Sequence, residues 1–505
     1  MRSYIKKCPI DFFDMFDMLP DSMEWKKTEP KDIIKYLTYE IFFMQPYTEK
    51  DLLNFIKTKI QQDEYKIIEN ILDPKEADFK YCMKWRGVVA AESKRLLLFG
   101  IGDSVHNTDD SEGDLSWFLQ LIESYGFKII FNPEKDMMIR LLFPNNDTMA
   151  FLYPCCPKCH TILPGQWFHS IEYFPVSLLG SPSSGKSTLL CSWLVDGYAP
   201  FNDLQQLGED ILAVDGIPGG KSHFEIQEAY YKAADDMKKN GNYPLGTDAH
   251  SIPPIYIQIT HRKSGESLLV GIYDCSGELL DKAADMVYNA TQFIYHMKAF
   301  IYLVPPEQMA GVHMQDNNQK EELPCILTIE EQGEYQRNMS SREISAELLL
   351  ADKEIPVEDP WGVYQSVQQV LAGSCGESEP KHMAYTIVKS DLLTNQPEVK
   401  SIPRASELLR RPNADTIRNS TYIEEYSDIA RQMFEKLVFT GTEAECRAAV
   451  KAKIDYFDGR VSWHCICAAN KKREGQLNYY YTPIRNVEPL VGCLVNKLKE
   501  LTWIK

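Results

Sequence analysis

Residues 177–190, SLLGSPSSGKSTLL, restrict the fold of this chain more than any other stretch. An apolar run gives way to glycine and serine, meets one lysine, and turns apolar again. Residues 180–187 match G-x-x-x-x-G-K-[ST], the Walker A pattern of a strand, a phosphate-binding loop and a helix. The alternative is an ordinary Gly/Ser-rich turn, but the apolar segments on both sides favour the phosphate-binding loop.

Each residue type in this loop suits a phosphate chain with a metal ion. The glycines let backbone N–H groups curl inward around an anion. Lys186 reaches the β and γ phosphates, and the hydroxyl of Ser187 ligates Mg²⁺. The predicted nucleotide-binding residues here are Gly180, Ser183, Ser184, Gly185, Lys186, Ser187 and Thr188.

The remainder of the C-terminal part predicts a doubly wound, mostly parallel α/β sheet, the P-loop NTPase architecture. Apolar runs alternate with helical segments over residues 169–505. They are FPVSLLG, IYIQIT, SLLVGIYD, KAFIYLV, MAYTIV and SWHCICA. Polar stretches near 311–360 and 394–420 interrupt the alternation and are predicted to be surface insertions.

The N-terminal part predicts separate units, because 505 residues exceed one ordinary core. Residues 1–92 are predicted to be mainly helical, with PKDIIKYLTYEIFF (30–43) and a segment at 48–72 showing helical spacing. Residues 93–150 predict a small α/β unit. A cysteine-rich segment follows at 151–168.

Composition limits the partners. The net charge of −18 argues against nucleic acid and anionic membranes. We find no apolar run of about 18 residues and no signal peptide, so we expect a cytoplasmic protein. The 13 cysteines then indicate reduced thiols rather than a disulfide framework.

Two further strand ends carry chemistry. SLLVGIYD ends in Asp274, and Gly277 follows at D-x-x-G spacing, where an acid can hold Mg²⁺ and a glycine N–H can meet a γ-phosphate. MAYTIV is followed by Lys389 and Asp391, whose carboxylate matches the N–H edge of guanine. The alternative for both is a strand followed by a turn, since Asp and Gly are turn residues.

These motifs, in this order, resemble the P-loop GTPases of the translation-factor and Ras-like class. The resemblance implies GTP or GDP as ligand, with Ala468 and Ala469 in the last base-contacting loop. It also implies catalytic roles for Lys186, Thr247, Gly277 and Glu278, and Mg²⁺ bound by Ser187, Thr247 and Asp274. The alternative interpretation of Thr247 is an ordinary loop threonine, and the sequence favours neither.

The sequence departs from this class at two positions. Val388 stands where relatives carry Asn or Thr, so one polar contact to the base is missing. Glu278 stands where many relatives carry a water-orienting Gln, which indicates slow hydrolysis.

A narrower resemblance is to the bacterial double-GTPase-like family, found beside presumed conflict or defence genes. It rests on CPKCHTILPG, AFIYLVPPEQ and YTPIRNVEPLVGCLV and covers about 153–505. That family often has a zinc ribbon ahead of the P-loop strand. The candidate zinc ligands here are Cys155, Cys156, Cys159 and His160, and the alternative is a metal-free loop because a second C-x-x-C is absent.

We therefore expect a GTP-binding switch or slow GTPase with Mg²⁺ that signals to an unidentified protein partner through its N-terminal region. The alternatives are a nucleotide-binding scaffold without hydrolysis and a P-loop kinase of small molecules.

Overall fold

The structure is a computed structural model. It describes residues 38–44, 46–47, 51–52, 54, 97–98, 115–131, 137–156, 162–181, 184–195, 212–216, 221–240, 244, 254–274, 292–309, 361–372, 381–394, 396–410, 422–439, 441–468 and 484–504. These residues form an α/β protein with two sheets.

The first sheet is antiparallel and has five strands in the order β2-β1-β5-β4-β3. The strands are β1 (Thr38–Phe43), β2 (Leu97–Leu98), β3 (Lys128–Phe131), β4 (Ile139–Leu142) and β5 (Thr148–Cys155). Helix α1 (Leu115–Ser124) precedes β3. Residues 115–142 thus contain a helix and two paired strands.

Strand β1 corrects the sequence prediction. Residues 30–43 are predicted to be helical, but Thr38–Phe43 is a strand that pairs along its whole length with β5. The segment TYEIFF is rich in aromatic and β-branched residues, which favour a pleated surface, and pairing with β5 outweighs the helical spacing. The sheet therefore takes strands from both sides of the boundaries expected at 92/93 and 150/151. Most of the helix predicted at 48–72 lies outside the described residues.

The second sheet has seven strands in the order β12-β11-β10-β6-β9-β8-β7. They are β6 (Glu172–Leu179), β7 (Leu212–Gly216), β8 (Ile255–His261), β9 (Ser267–Asp274), β10 (Ala299–Val304), β11 (His382–Ile387) and β12 (Val461–Cys465). The five from β12 to β9 are parallel, and β8 and β7 continue the sheet antiparallel. All six predicted strands are confirmed in this mostly parallel sheet.

Every residue of β6, β9, β10 and β11 is buried, so both faces of the central strands are covered. This explains their continuous apolar runs. The remaining helices are α2 (Gly165–His169), α3 (Lys186–Leu194), α4 (Lys221–Asn240), α5 (Gln292–His296), α6 (Gly362–Ala372), α7 (Pro397–Lys400), α8 (Ala405–Leu408), α9 (Tyr422–Leu437), α10 (Glu443–Tyr456) and α11 (Glu488–Glu500). Among the helices that the structure describes, none is long and apolar enough to cross a bilayer.

The stretch at 394–420 differs from the expected surface insertion where it is described. Val399, Ile402, Ala405 and Leu408 are all buried in the core. Val399 lies in α7, Ile402 in the turn that follows it, and Ala405 and Leu408 in α8. The insertion expected near 311–360 lies outside the described residues.

Two buried histidines on neighbouring strands share one hydroxyl group. His382 Nε2 lies 3.0 Å from Ser462 Oγ, and His464 Nε2 lies 2.8 Å from the same oxygen. Because one hydroxyl has one proton, at least one imidazole must donate to it. Burial, aided by Arg460, lowers the pKa of His382 to about 4. Burial, aided by His382 and Arg485, lowers the pKa of His464 to about 3.

These values predict acid sensitivity between pH 7 and pH 5. The folded pKa values lie below the ordinary value of about 6.5, so the unfolded chain takes up protons first as the pH falls. Each histidine should lower the free energy of unfolding by about 2 kcal/mol between pH 7 and pH 5. Urea unfolding at both pH values measures this loss, and the variant His382→Gln/His464→Gln should show a shallower pH dependence. A parallel pH dependence in the two proteins would contradict the prediction.

Candidate functional site

The glycine loop, residues 180–185, connects β6 to α3 and depends on its two glycines. Gly180 has φ 148°, and a Cβ there would lie 2.6 Å from Ser184 Oγ and 2.9 Å from the Leu303 carbonyl oxygen. Gly185 begins α3 in a left-handed conformation, with φ 88° and ψ 20°. The tight packing at Gly180 and the left-handed turn at Gly185 explain why glycine stands at both positions.

The ammonium group of Lys186 folds back over the glycine loop. Its Nζ donates to the carbonyl oxygens of Gly180 at 2.7 Å and Ser181 at 2.9 Å, and to Ser184 Oγ at 3.3 Å. The residue is 7% exposed. A cation is thus held at the start of a helix, where phosphate oxygens could replace these uncharged acceptors.

Asp274 lies near the glycine loop because β9 runs parallel to β6. Leu178, two residues before the loop, pairs with Asp274 in register. Ser187 Oγ donates to Asp274 Oδ2 at 3.0 Å. The hydroxyl of Tyr230, on α4, donates to the same oxygen at 3.1 Å. Asp274 is 4% exposed, so its carboxylate sits in a protein environment stabilised by hydroxyl donors.

The donor set fits Mg²⁺, which binds oxygen and usually takes one or two carboxylates together with phosphate and water. Ser187 and Asp274 supply a hydroxyl and a carboxylate within one hydrogen bond of each other. In the part of the chain that the structure describes, no three His, Cys, Asp or Glu residues gather into a metal-binding group. Beside Ser187 and Asp274, a magnesium ion would take phosphate oxygens and water as further ligands, as Mg²⁺ usually does.

The Lys-x-Asp turn, residues 389–391, follows the carboxyl end of β11. Lys389 is left-handed, with φ 51°, and begins a 3₁₀ turn over Ser390–Leu393. The backbone N–H of Ser390 donates to the Ile466 carbonyl at 3.0 Å. The thiol of Cys467 donates to Asp391 Oδ1 at 3.2 Å. The loop after β12 thereby fixes the Asp391 carboxylate, with the buried Ala468 next in the chain.

Val388 is 3% exposed and packs in the core. Its N–H donates to the Val304 carbonyl at 3.1 Å. The P-loop GTPases that the sequence resembles carry a polar residue at this position, whereas Val388 packs in the core here.

The turn after β10 lies between the glycine loop and the Lys-x-Asp turn and contacts both. The side-chain amide of Gln308 exchanges two hydrogen bonds with Ser181 Oγ, at 2.8 Å and 2.6 Å. Glu307 Oε1 accepts from Lys389 Nζ at 2.7 Å. The Glu307–Lys389 pair is 40% and 38% exposed, so its contribution to stability is small, about 0–1 kcal/mol.

The topology brings these loops to one edge of the sheet. After β6 the chain builds β7, β8 and β9 on one side, and then crosses to β10 on the other. Such a switch of direction leaves a crevice outside the carboxyl ends of the parallel strands, where ligands of doubly wound sheets bind. The glycine loop, Asp274, the Lys-x-Asp turn and the Cys467 loop all follow carboxyl ends on this edge.

Several predicted site residues lie outside the described residues. They are Ser183, Thr247, Gly277, Glu278, Ala469, Cys159 and His160. Their assignments stay predictions.

The two described cysteines of the cysteine-rich segment are buried. Cys155 ends β5, and its thiol donates to the Tyr153 carbonyl at 3.5 Å. Cys156 belongs to the hydrophobic core. Because the other two candidate ligands are not described, the zinc site stays a prediction.

Sequence reasoning missed three residues of this site: Tyr230, Glu307 and Gln308. Tyr230 gives no sequence signal, because its contact with Asp274 depends on how α4 packs against α3. The pair Pro305-Pro306 directly after a strand does indicate a turn, but not which loops the next two side chains reach.

The chain matches no model of a known protein family, and no curated protein matches it.

Proposed function

We propose that the chain is a P-loop NTPase that binds guanine nucleotide with Mg²⁺ and acts as a slow GTPase or GTP-dependent switch. The observation that carries the proposal is the hydrogen bond from Ser187 to Asp274 beside the glycine loop. It joins a hydroxyl in the first turn of α3 and the carboxylate that ends β9, 87 residues apart in the chain. A strand followed by an ordinary turn gives no reason for this pairing.

The protein would act on the phosphates mainly by positioning and charge. Lys186 would exchange its three oxygen acceptors for β- and γ-phosphate oxygens, and Ser187 and Asp274 would hold Mg²⁺. The metal supplies neutralisation of charge on the transferring phosphoryl group. Thr247 and Gly277 remain the proposed switch residues, and Glu278 the residue nearest the attacking water.

The base would be recognised by Asp391. Its carboxylate accepts only, which suits the N1–H and exocyclic amine of guanine, whereas adenine presents a bare N1 acceptor. The Cys467 thiol donates its hydrogen bond to Oδ1 of Asp391 rather than to Oδ2. The aliphatic stem of Lys389 would cover the ring, and Ala468 and Ala469 would offer backbone N–H groups to the guanine oxygen.

We further propose membership of the bacterial double-GTPase-like family and a role in a conflict or defence setting. The segments CPKCHTILPG, AFIYLVPPEQ and YTPIRNVEPLVGCLV support this proposal. A protein partner would then read the nucleotide state through the N-terminal region. Zinc at the cysteine-rich segment is part of the same proposal.

Turnover of GTP and ATP by the purified protein tests this function. Glu278, when ionised, cannot donate a hydrogen bond to the developing negative charge. We therefore expect GTP turnover well below about 1 per second, and slower turnover still with ATP. Ser187→Ala should lower the GTP rate further. Fast hydrolysis without a partner would show that another residue positions the water, and turnover of ATP alone would overturn the guanine assignment.

A further inference from the structure

Tyr230 is the one described side chain from outside the sequence motifs that hydrogen-bonds the Asp274 carboxylate. Its hydroxyl donates to Oδ2 at 3.1 Å, and Ser187 Oγ donates to the same oxygen at 3.0 Å. Two donors on one oxygen fix the plane of the carboxylate. A carboxylate that is 4% exposed has little water to replace either donor.

The tyrosine is held in place by the packing of its helix. Helix α4 lies against α3, the helix that follows the glycine loop. The Cys191 thiol of α3 donates to the Tyr230 carbonyl at 3.8 Å, and Ala234 and Met237 are buried on the same helix. The hydroxyl therefore reaches Asp274 from a fixed backbone.

We propose that Tyr230 is a positioning residue for the metal site, holding Asp274 in the orientation that binds Mg²⁺ and linking α4 to metal occupancy. This inference rests on the proposed function. Without the phenol, the buried carboxylate loses a charge-assisted hydrogen bond and gains freedom to rotate away from Ser187. Hydrogen bonds of this kind are strong enough to change an equilibrium about ten-fold.

The link to α4 follows from the same contact. Metal binding changes the charge facing Asp274, and Tyr230 transmits any movement of the carboxylate to the helix that carries it. Helix α4 lies in the chain between the glycine-loop helix and Thr247, the predicted switch threonine. A change in α4 on metal binding would therefore occur next in the chain to the segment that is expected to sense the γ-phosphate.

The variant Tyr230→Phe tests the proposal, because it removes one oxygen and keeps the ring. Tyr231→Phe is the matched control, since Tyr231 is the next residue of α4 and is 37% exposed. A fluorescent GDP analogue is bound to each full-length protein, and Mg²⁺ is titrated after removal of metal with EDTA. We expect Tyr230→Phe to need about ten-fold more Mg²⁺ than wild type, and Tyr231→Phe to match wild type.

Two further measurements separate an effect on the metal site from a general loss of structure. Affinity for the analogue in EDTA should be the same in all three proteins, which separates a metal effect from a general loss of structure. Hydrogen exchange in α4 should slow on addition of Mg²⁺ and GDP to wild type, and slow less in Tyr230→Phe. The proposal would be overturned if Tyr230→Phe needed the same Mg²⁺ concentration as wild type, or a lower one.

The outcomes also separate this inference from the proposed function. If wild type binds the analogue in a Mg²⁺-dependent manner but Tyr230→Phe behaves like the control, the positioning role alone is wrong. If wild type binds no guanine nucleotide with or without Mg²⁺, the proposed function fails and the inference falls with it.

Discussion

Replacing Asp391 with asparagine is expected to abolish the preference for guanine and create a preference for xanthine. The carboxylate offers two acceptors, whereas the amide offers one acceptor and one donor. Xanthine carries a carbonyl in place of the exocyclic amine of guanine, so the amide suits it. A site built for paired hydrogen bonds rejects a ligand that leaves its groups unpaired by far more than a site of merely apolar contacts does. We expect GTP affinity to fall about 100-fold and xanthosine triphosphate to bind more tightly than GTP.

Competition binding with labelled GTP and labelled xanthosine triphosphate measures both changes. The control is Asp428→Asn, because Asp428 is a surface carboxylate, 72% exposed on α9. It changes the net charge by the same amount and should leave both affinities unaltered. Intact GTP affinity in Asp391→Asn would show that the Lys-x-Asp turn is only the end of a strand.

Replacing Lys186 with alanine is expected to weaken binding of GTP analogues about ten-fold or more. The substitution removes a buried cation that would face at least two charged phosphate oxygens. One lost charge-assisted contact costs about 1.5–3 kcal/mol. Titration of a non-hydrolysable GTP analogue measures the loss.

Lys239→Ala is the matched control, because Lys239 is a lysine 65% exposed on α4. Its ion pair with Asp235 lies on the surface and should contribute little. Both variants should keep the circular dichroism of wild type, since the oxygens that Lys186 contacts belong to a loop. Unchanged affinity in Lys186→Ala would contradict the assignment of the glycine loop to phosphate binding.

The central strands of the seven-stranded sheet could be predicted from the sequence because they are buried on both faces. Each appears as a continuous apolar run, which a helix on the surface does not produce. Strand β7 was not predicted, since LAVDG at the sheet edge is short and ends in turn residues. Its place beside β8 follows from pairing that the sequence does not display.

Strand β1 shows how tertiary pairing overrides local spacing. The segment TYEIFF carries apolar residues at helical intervals, but five of its six residues are aromatic or β-branched, which suits a strand. Only the presence of β5, more than 100 residues further along the chain, decides between the two. The pairing of Thr38 with Cys155 lies beyond any local window.

The residues of the candidate site likewise fall into those that the sequence predicts and those that it does not. The glycine loop, Asp274 and Asp391 could be predicted because each is a short motif at the end of an apolar run. Tyr230 and Gln308 could not, because their partners are 44 and 127 residues away in the chain. Such contacts arise from the packing of α4 and from the turn after β10, and they complete a site that the motifs only begin.

The proposed function requires this edge of the sheet to bind guanine nucleotide with Mg²⁺. Competition binding on the wild-type protein tests it most directly, with labelled GTP displaced by unlabelled GTP or ATP in the presence of Mg²⁺. We expect ATP to require at least about ten-fold higher concentration than GTP, because adenine would leave the Asp391 carboxylate facing a lone pair. Equal displacement by ATP, or no binding of labelled GTP, would contradict it.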